Sequence, residues 1–256
     1  MKSLKNKTIL ITGASSGIGQ ATAMQYAQHG ARILLMARRM ERIQKMVDTV
    51  QAECGVEALA VELDVRNRQS VETTICDLPE SWQNIDILVN NAGLALSTDK
   101  LQAGNPDNWD TMIDTNVKGL LYVTRAVLPG MLERERGHIV NLSSIAGYEC
   151  YPGGNVYGAT KHAVKAISQS LRLDLMGSKI RITDLAPGMV NTEFSEVRLN
   201  SKSQADKVYE GMEPLQAEDI ADAIIYCTTR PAHVDVSAMV IMPTCQASAN
   251  HVYRQS

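Results

Sequence analysis

Short runs rich in leucine and β-branched residues recur at positions 8–11, 32–36, 57–63, 85–89, 138–142, 179–185 and 238–242, and each has the length and composition of a strand. Between them lie longer stretches of helix-forming composition, at 18–29, 39–54, 106–135, 156–176 and 217–229. The strand runs are continuously apolar rather than alternating, which predicts a sheet covered by other elements on both faces. Strands that alternate with helices through right-handed crossovers make a parallel sheet. The pattern predicts one doubly wound α/β domain over residues 1–256, built on a seven-stranded parallel sheet with helices on both faces.

Local signals agree with these boundaries. Gly30 stands just past the first helix, where a left-handed residue ends a helix without strain, and Asn105-Pro106 offers an N-cap followed by a first-turn proline. Residues 191–214 form the least regular stretch. The net charge is −3 and the basic residues form no long block, so the chain lacks the electrostatic footprint of a nucleic-acid binder and a small molecule is the expected partner. Three lysines within residues 1–7 precede an apolar run in the manner of a signal peptide, but Thr12-Gly13 ends that run early. No stretch approaches the roughly 18 apolar residues of a membrane span, so a soluble, cytoplasmic protein is expected. The five cysteines lie far apart, which suggests neither a disulfide framework nor a zinc site, and most are expected to be buried small hydrophobes. The five histidines show no ligand-like spacing, so no metal is assigned.

Thr12-Gly13-Ala14-Ser15-Ser16-Gly17-Ile18-Gly19 follows the first strand and opens the first helix. There, open amide N–H groups and the helix dipole favour a pyrophosphate, and glycines let the backbone approach it. This placement predicts a Rossmann-type dinucleotide site. After the second strand an NAD-binding site wants a carboxylate for the ribose 2′-hydroxyl, yet the chain reads Met36-Ala37-Arg38-Arg39. Arg38 and Arg39 instead offer guanidinium donors for a 2′-phosphate, so NADP(H) is the predicted cofactor. The alternative is a solvated helix start, since Arg42 follows on the same helix.

Tyr157 and Lys161 stand four residues apart and therefore on one helical face. A phenol titrating at about 10 is a poor base near neutrality, and a nearby cation favours its phenolate. Just upstream, Asn141-Leu142-Ser143-Ser144 ends the fifth strand, at the carboxyl edge where open sheets bind ligands. Together the Gly-x-x-x-Gly-x-Gly turn, the Tyr157/Lys161 pair and Ser144, thirteen residues before the tyrosine, resemble the short-chain dehydrogenase/reductase family. In that family this serine binds the substrate oxygen; Ser143 is the neighbouring alternative.

The resemblance extends through Asn90-Asn91-Ala92-Gly93 and Asn116, the latter implied to support a water that links the lysine to solvent. A local bend stabilised by the Asn116 side chain is the other reading. Asp64-Val65 resembles the family's adenine-side contact, and Pro187-Gly188 with Val190 and Thr192 its nicotinamide-side loop. The implied roles are a proton exchanged by Tyr157, charge steadied by Ser144, a ribose positioned by Lys161 and a relay completed by Asn116.

Further stretches, such as residues 63–68 and 153–157, are similar to the NADP-dependent 3-hydroxy acid dehydrogenases. That resemblance implies a homotetramer acting on serine, allo-threonine or 3-hydroxypropionate, or on malonic semialdehyde in reverse. A carboxylate substrate needs a cationic partner. Arg198 is the proposed clamp, with an exposed loop arginine as the alternative, and Arg254 is a second candidate that reaches a neighbouring subunit's site. Two enzyme alternatives share the catalytic set, a broad carbonyl reductase and a 3-oxoacyl carrier-protein reductase served by Lys202 and Lys207. A non-catalytic NADP(H) sensor is the alternative from another class.

Overall fold

Each of the seven apolar runs forms a strand: β1 (Thr8–Thr12), β2 (Arg32–Ala37), β3 (Ala58–Glu62), β4 (Ile87–Asn90), β5 (Gly137–Leu142), β6 (Ile180–Pro187) and β7 (Ala238–Ile241). In this computed structural model, which describes residues 3–255, all strand pairs are parallel. Met1 and Lys2 of the basic N-terminal stretch, and Ser256, lie outside the described residues. The strand order is β3-β2-β1-β4-β5-β6-β7, so the chain reverses its direction of travel across the sheet between β1 and β4. A crevice opens at such a reversal on the carboxyl edge of a doubly wound sheet.

Side chains of successive strand residues point to opposite faces, and the core divides accordingly. Ile9, Ile11, Ile33 and Leu35 pack on one face against α1 (Gly17–Gln28) and α2 (Met40–Cys54). Leu10, Leu34, Leu88 and Ile139 pack on the other face. That second layer holds α3 (Arg68–Cys76), the short α4 (Glu80–Gln83), α5 (Pro106–Ile113), α6 (Leu120–Glu133) and α7 (Asn155–Asp174). After β6 come α8 (Phe194–Leu199), α9 (Lys202–Val208) and α10 (Ala217–Thr228), the last packing against α1. Gly30 takes φ +80° just past the His29 C-cap, and the Asn105 side chain accepts the Asp107 amide, as the local signals require.

The structure departs from the sequence reading in five places. The helix expected over 106–135 is broken into α5, a π-helical turn (Asp114–Gly119) and α6. The wide turn coincides with Asn116, whose side chain bonds to Leu94 and Thr160 outside the helix, so tertiary contacts override local propensity there. Helices α3 and α4 were not expected, and the irregular stretch 191–214 contains α8 and α9. The sheet is not covered everywhere: edge strand β7 leaves Val240 45% exposed. Of the five cysteines only Cys227 is buried; Cys76 and Cys150 are exposed, one at the end of α3 and the other in the loop after β5. Among the described residues no helix is long and apolar enough to cross a membrane.

Candidate active site

A cavity of about 340 Å³ opens at the carboxyl edge of the sheet. Its floor is the turn after β1. Gly13 sits at φ +65°, and a Cβ there would stand 2.7 Å from the Ala92 Cα; Gly19 lies behind the turn, where a Cβ would meet the Asn91 Nδ2 at 2.5 Å. The Asn91 carboxamide donates to the Thr12 and Gly13 carbonyls at 3.0 and 3.1 Å, and the Thr12 hydroxyl accepts the amides of Asn91 and Ala92. The loop after β4 thus props the turn from beneath. Ser16 N-caps α1 without a side-chain capping bond, so the first-turn amides of a 12-residue helix stay open toward the cavity. That donor set suits a pyrophosphate.

Beside the turn, Ala37 leaves the position for a ribose-binding acid empty. Arg38 is exposed at the cavity wall, and no hydrogen bond or ion pair holds its guanidinium among the described residues. Arg39 donates to the Ser15 hydroxyl at 2.8 and 3.0 Å and to that of Ser16 at 2.8 Å. A 2′-phosphate fits two guanidinium groups and would be repelled by an acid, so the residues present fit NADP(H) and not NAD(H).

Tyr157 and Lys161 project from the buried face of α7. Burial lifts the Tyr157 phenol well above its ordinary range, against the opposing pull of a hydrogen bond with Ser144 and of the Arg198 charge. The Lys161 nitrogen lies 5.8 Å from the Tyr157 ring centroid, on the same helix. Lys161 is buried as well. Its ammonium donates to the Leu142 carbonyl at 2.8 Å, and burial brings its pKa down to about 8 while Asp184 opposes the fall. Ser144 presents its hydroxyl to the same cavity, accepting the Ala146 amide at 3.1 Å and donating to the Pro187 carbonyl at 3.4 Å. Ser143 turns inward and donates through both its amide and its hydroxyl to the Leu185 carbonyl, the behaviour of a strand-end hydroxyl.

Buried asparagines fix the strand ends that carry these groups. Asn90 on β4 donates to Asn141 on β5 and to Thr124 on α6, and Asn141 donates to Ser168 on α7. Asn116 lies outside the cavity lining. Its carboxamide accepts the Leu94 amide at 2.8 Å and donates to the Leu94 carbonyl at 2.8 Å and the Thr160 hydroxyl at 3.0 Å. It sits in the π-helical turn, and a Cβ on Gly93 would lie 3.3 Å from the Asn116 Oδ1 and 3.5 Å from the Lys161 nitrogen.

Asp64, Val65, Gly17, Ile18, Pro187, Gly188, Val190 and Thr192 all line the cavity, although the Asp64 carboxylate is taken up by Arg66 at 2.6 Å. Arg198 is not a free loop arginine. It donates to the Ser97 carbonyl, the Tyr151 hydroxyl and the Gly153 carbonyl, with its guanidinium 5.7 Å from the Tyr157 ring centroid. Arg254 instead binds the Val208 and Glu210 carbonyls at the end of α9, away from this cavity, and Lys202 and Lys207 are exposed on α9. The sequence reading gave no role to Leu94, Glu193, Phe194 and Val197, which also form part of the wall. Phe194 packs at 5.6 Å against the Tyr157 ring, and Glu193 pairs with Arg39 and Arg42. None lies in a recognisable motif, and their neighbours are distant in sequence.

Comparison with known proteins points the same way. A family model described as short chain dehydrogenase matches residues 7–203. The chain is 47% identical over 243 residues to the NADP-dependent 3-hydroxy acid dehydrogenase of Salmonella typhi, covering 94% of this chain and 96% of that one. It is 46% identical over 241 residues to sulfoacetaldehyde reductase 2 of Chromohalobacter salexigens, covering 93% and 95%. The closed form of a serine dehydrogenase complexed with NADP+ superposes with a TM-score of 0.90 at 45% identity, covering 97% of this chain and all of the other.

Proposed function

The chain belongs to the short chain dehydrogenase family, and from that premise we propose that it is an NADP(H)-dependent oxidoreductase that interconverts a small 3-hydroxy acid and its carbonyl form. One observation carries the reading: Ser144, Tyr157 and Lys161 share a cavity with a phosphate-suited turn and the unpaired Arg38. Gly13, Ser15, Ser16, Gly17, Ile18 and Gly19 form the pyrophosphate turn, and Arg38 with Arg39 receives the 2′-phosphate. The bound nicotinamide supplies or accepts the hydride.

The protein's own groups do the rest. Tyr157 passes a proton to or from the substrate oxygen, and the Ser144 hydroxyl, which faces the same cavity, donates to that oxygen as charge develops. Lys161 holds its charge beside them, fixed by the Leu142 carbonyl, and positions the ribose. The Asn116 side chain sets the position of Leu94 and Thr160 around this group, and a relay to solvent past Asn116 belongs to the same proposal.

The relatives are named for a 3-hydroxy acid and for sulfoacetaldehyde, substrates that both carry an anionic head. Arg198 is our candidate for that head: it stands outside the cavity lining, with its guanidinium 5.7 Å from the Tyr157 ring centroid. Three of its five N–H donors are committed, which leaves the others for a carboxylate such as that of serine, allo-threonine or 3-hydroxypropionate. The reading also makes the protein a cytoplasmic homotetramer. The uncovered face of β7 and the half-exposed Tyr226 on α10 supply apolar surface for such contacts, and sedimentation at several concentrations checks the assembly.

The direct test is Tyr157→Phe. Loss of general acid–base catalysis should lower turnover by about 10²- to 10⁴-fold with NADPH binding, read by fluorescence, unchanged. Near-normal turnover would remove Tyr157 from the mechanism.

A further inference from the structure

Thr192, Glu193 and α8 form one continuous segment, a strap along the wall of the cleft. At its start, Thr192 lies 3.2 Å from where Gly17 would carry a Cβ, so it covers the phosphate turn. Glu193 follows, with one carboxylate oxygen 3.0 Å from Arg39 and the other 2.7 Å from Arg42. Phe194 then packs on the Tyr157 ring, and Val197 lines the cavity. At the far end Arg198 is tied to Ser97, Tyr151 and Gly153, while its own carbonyl accepts the Ser97 amide. One short segment thus joins the arginines beside the phosphate turn to the loops around the tyrosine.

We propose that Glu193 is a cofactor-discriminating latch: its carboxylate holds Arg39 and Arg42 in the free protein and competes with a cofactor 2′-phosphate for Arg39. This rests on the assignment of Arg38 and Arg39 to that phosphate. The Arg39 Nε, Nη1 and Nη2 are all engaged, on Ser15, Ser16 and Glu193. A phosphate arriving at this guanidinium must displace the carboxylate or face it as a like charge at close range. Burial tends to neutralise Glu193, but the bonds from Arg42 and Arg39 outweigh it and keep the group charged. Glu193 therefore opposes cofactors that carry a 2′-phosphate and is indifferent to those that do not. Its release frees the cofactor-side end of the strap while Arg198 retains the substrate-side end.

Adenosine 2′,5′-bisphosphate and adenosine 5′-monophosphate test this, since they differ at the 2′-position and carry no nicotinamide to order the strap. Calorimetry gives their affinities for the wild type, Glu193→Gln and Arg39→Ala, and amide exchange reads the strap at 193–199. Glu193→Gln should bind the bisphosphate about three- to tenfold more tightly, the range that two half-exposed ion pairs support, and the monophosphate equally well. In the wild type the bisphosphate should speed exchange in the strap and the monophosphate should not; in Glu193→Gln exchange should already be fast. Equal bisphosphate affinity in wild type and Glu193→Gln, or a wild-type strap indifferent to the bisphosphate, overturns the latch. If Arg39→Ala keeps the wild-type preference for the bisphosphate, the arginine assignment itself falls and the latch with it. If that preference is lost while Glu193→Gln changes nothing, only the latch fails.

Discussion

Replacing Asn116 by alanine tests how the site is held together. The buried side chain makes three hydrogen bonds, at 2.8, 2.8 and 3.0 Å, and two of them satisfy both backbone groups of Leu94, a residue of the cavity wall. Each lost bond is worth about 1 kcal/mol net, so Asn116→Ala should cost about 3 kcal/mol. For a chain of this length that corresponds to a fall in Tm of roughly 6–12 °C. Asn116→Asp should not rescue the loss, because a carboxylate accepts from the Leu94 amide but cannot donate to the Leu94 carbonyl. Thermal unfolding at one fixed protein concentration reads the effect, since any assembly makes the midpoint concentration-dependent. A Tm within about 2 °C of wild type would refute the claim that this carboxamide ties the loop after β4 to α7.

Other substitutions probe separate links. Gly19→Ala brings a methyl group to 2.5 Å from the Asn91 side-chain nitrogen and 2.7 Å from the Gly13 carbonyl, so NADPH affinity should fall by about tenfold or more as the turn shifts; unchanged affinity by fluorescence titration contradicts the packing argument. His138 is buried against Thr183, and burial, with the Arg181 charge beside it, holds its pKa well below the usual value. The unfolded chain therefore binds a proton that the folded one refuses, so stability is full above about pH 6.5 and falls as pH drops below it. His138→Gln should remove that part of the acid sensitivity, and urea midpoints that keep the wild-type pH slope would exclude the assignment. A thiol reagent should modify Cys76 and Cys150 in the native protein, whereas Cys227, buried and pushed up to about 11, should react only on unfolding. Rapid native labelling of Cys227 would contradict its burial.

What the sequence revealed and concealed follows from the range of the contacts. Strands such as Ile9 to Ile11 and the caps at Gly30 and Asn105 are written in local composition, and Tyr157 and Lys161 share a helix turn, so all were legible. Helix α3 was missed because only Val71 and Ile75 mark its buried face, although Asn67, which accepts the Ser70 amide, was a usable capping signal. The π turn at Asn116 depends on Leu94 and Thr160, 22 and 44 residues away, which no local pattern encodes. The same holds for Glu193, whose arginine partners lie 154 and 151 residues earlier, and for the hold of Arg198 on Ser97 and Tyr151. The mostly buried cysteines expected from composition proved wrong because burial is set by position on a helix or loop rather than by residue type.

The most direct test of the account is initial-rate oxidation of serine, allo-threonine and 3-hydroxypropionate beside a neutral secondary alcohol, each with NADP+ and with NAD+. The account predicts turnover of the hydroxy acids alone, with NADP+ preferred by about 30-fold or more, the worth of charge-assisted bonds to a 2′-phosphate. Faster oxidation of the neutral alcohol, or equal use of NAD+, would contradict it.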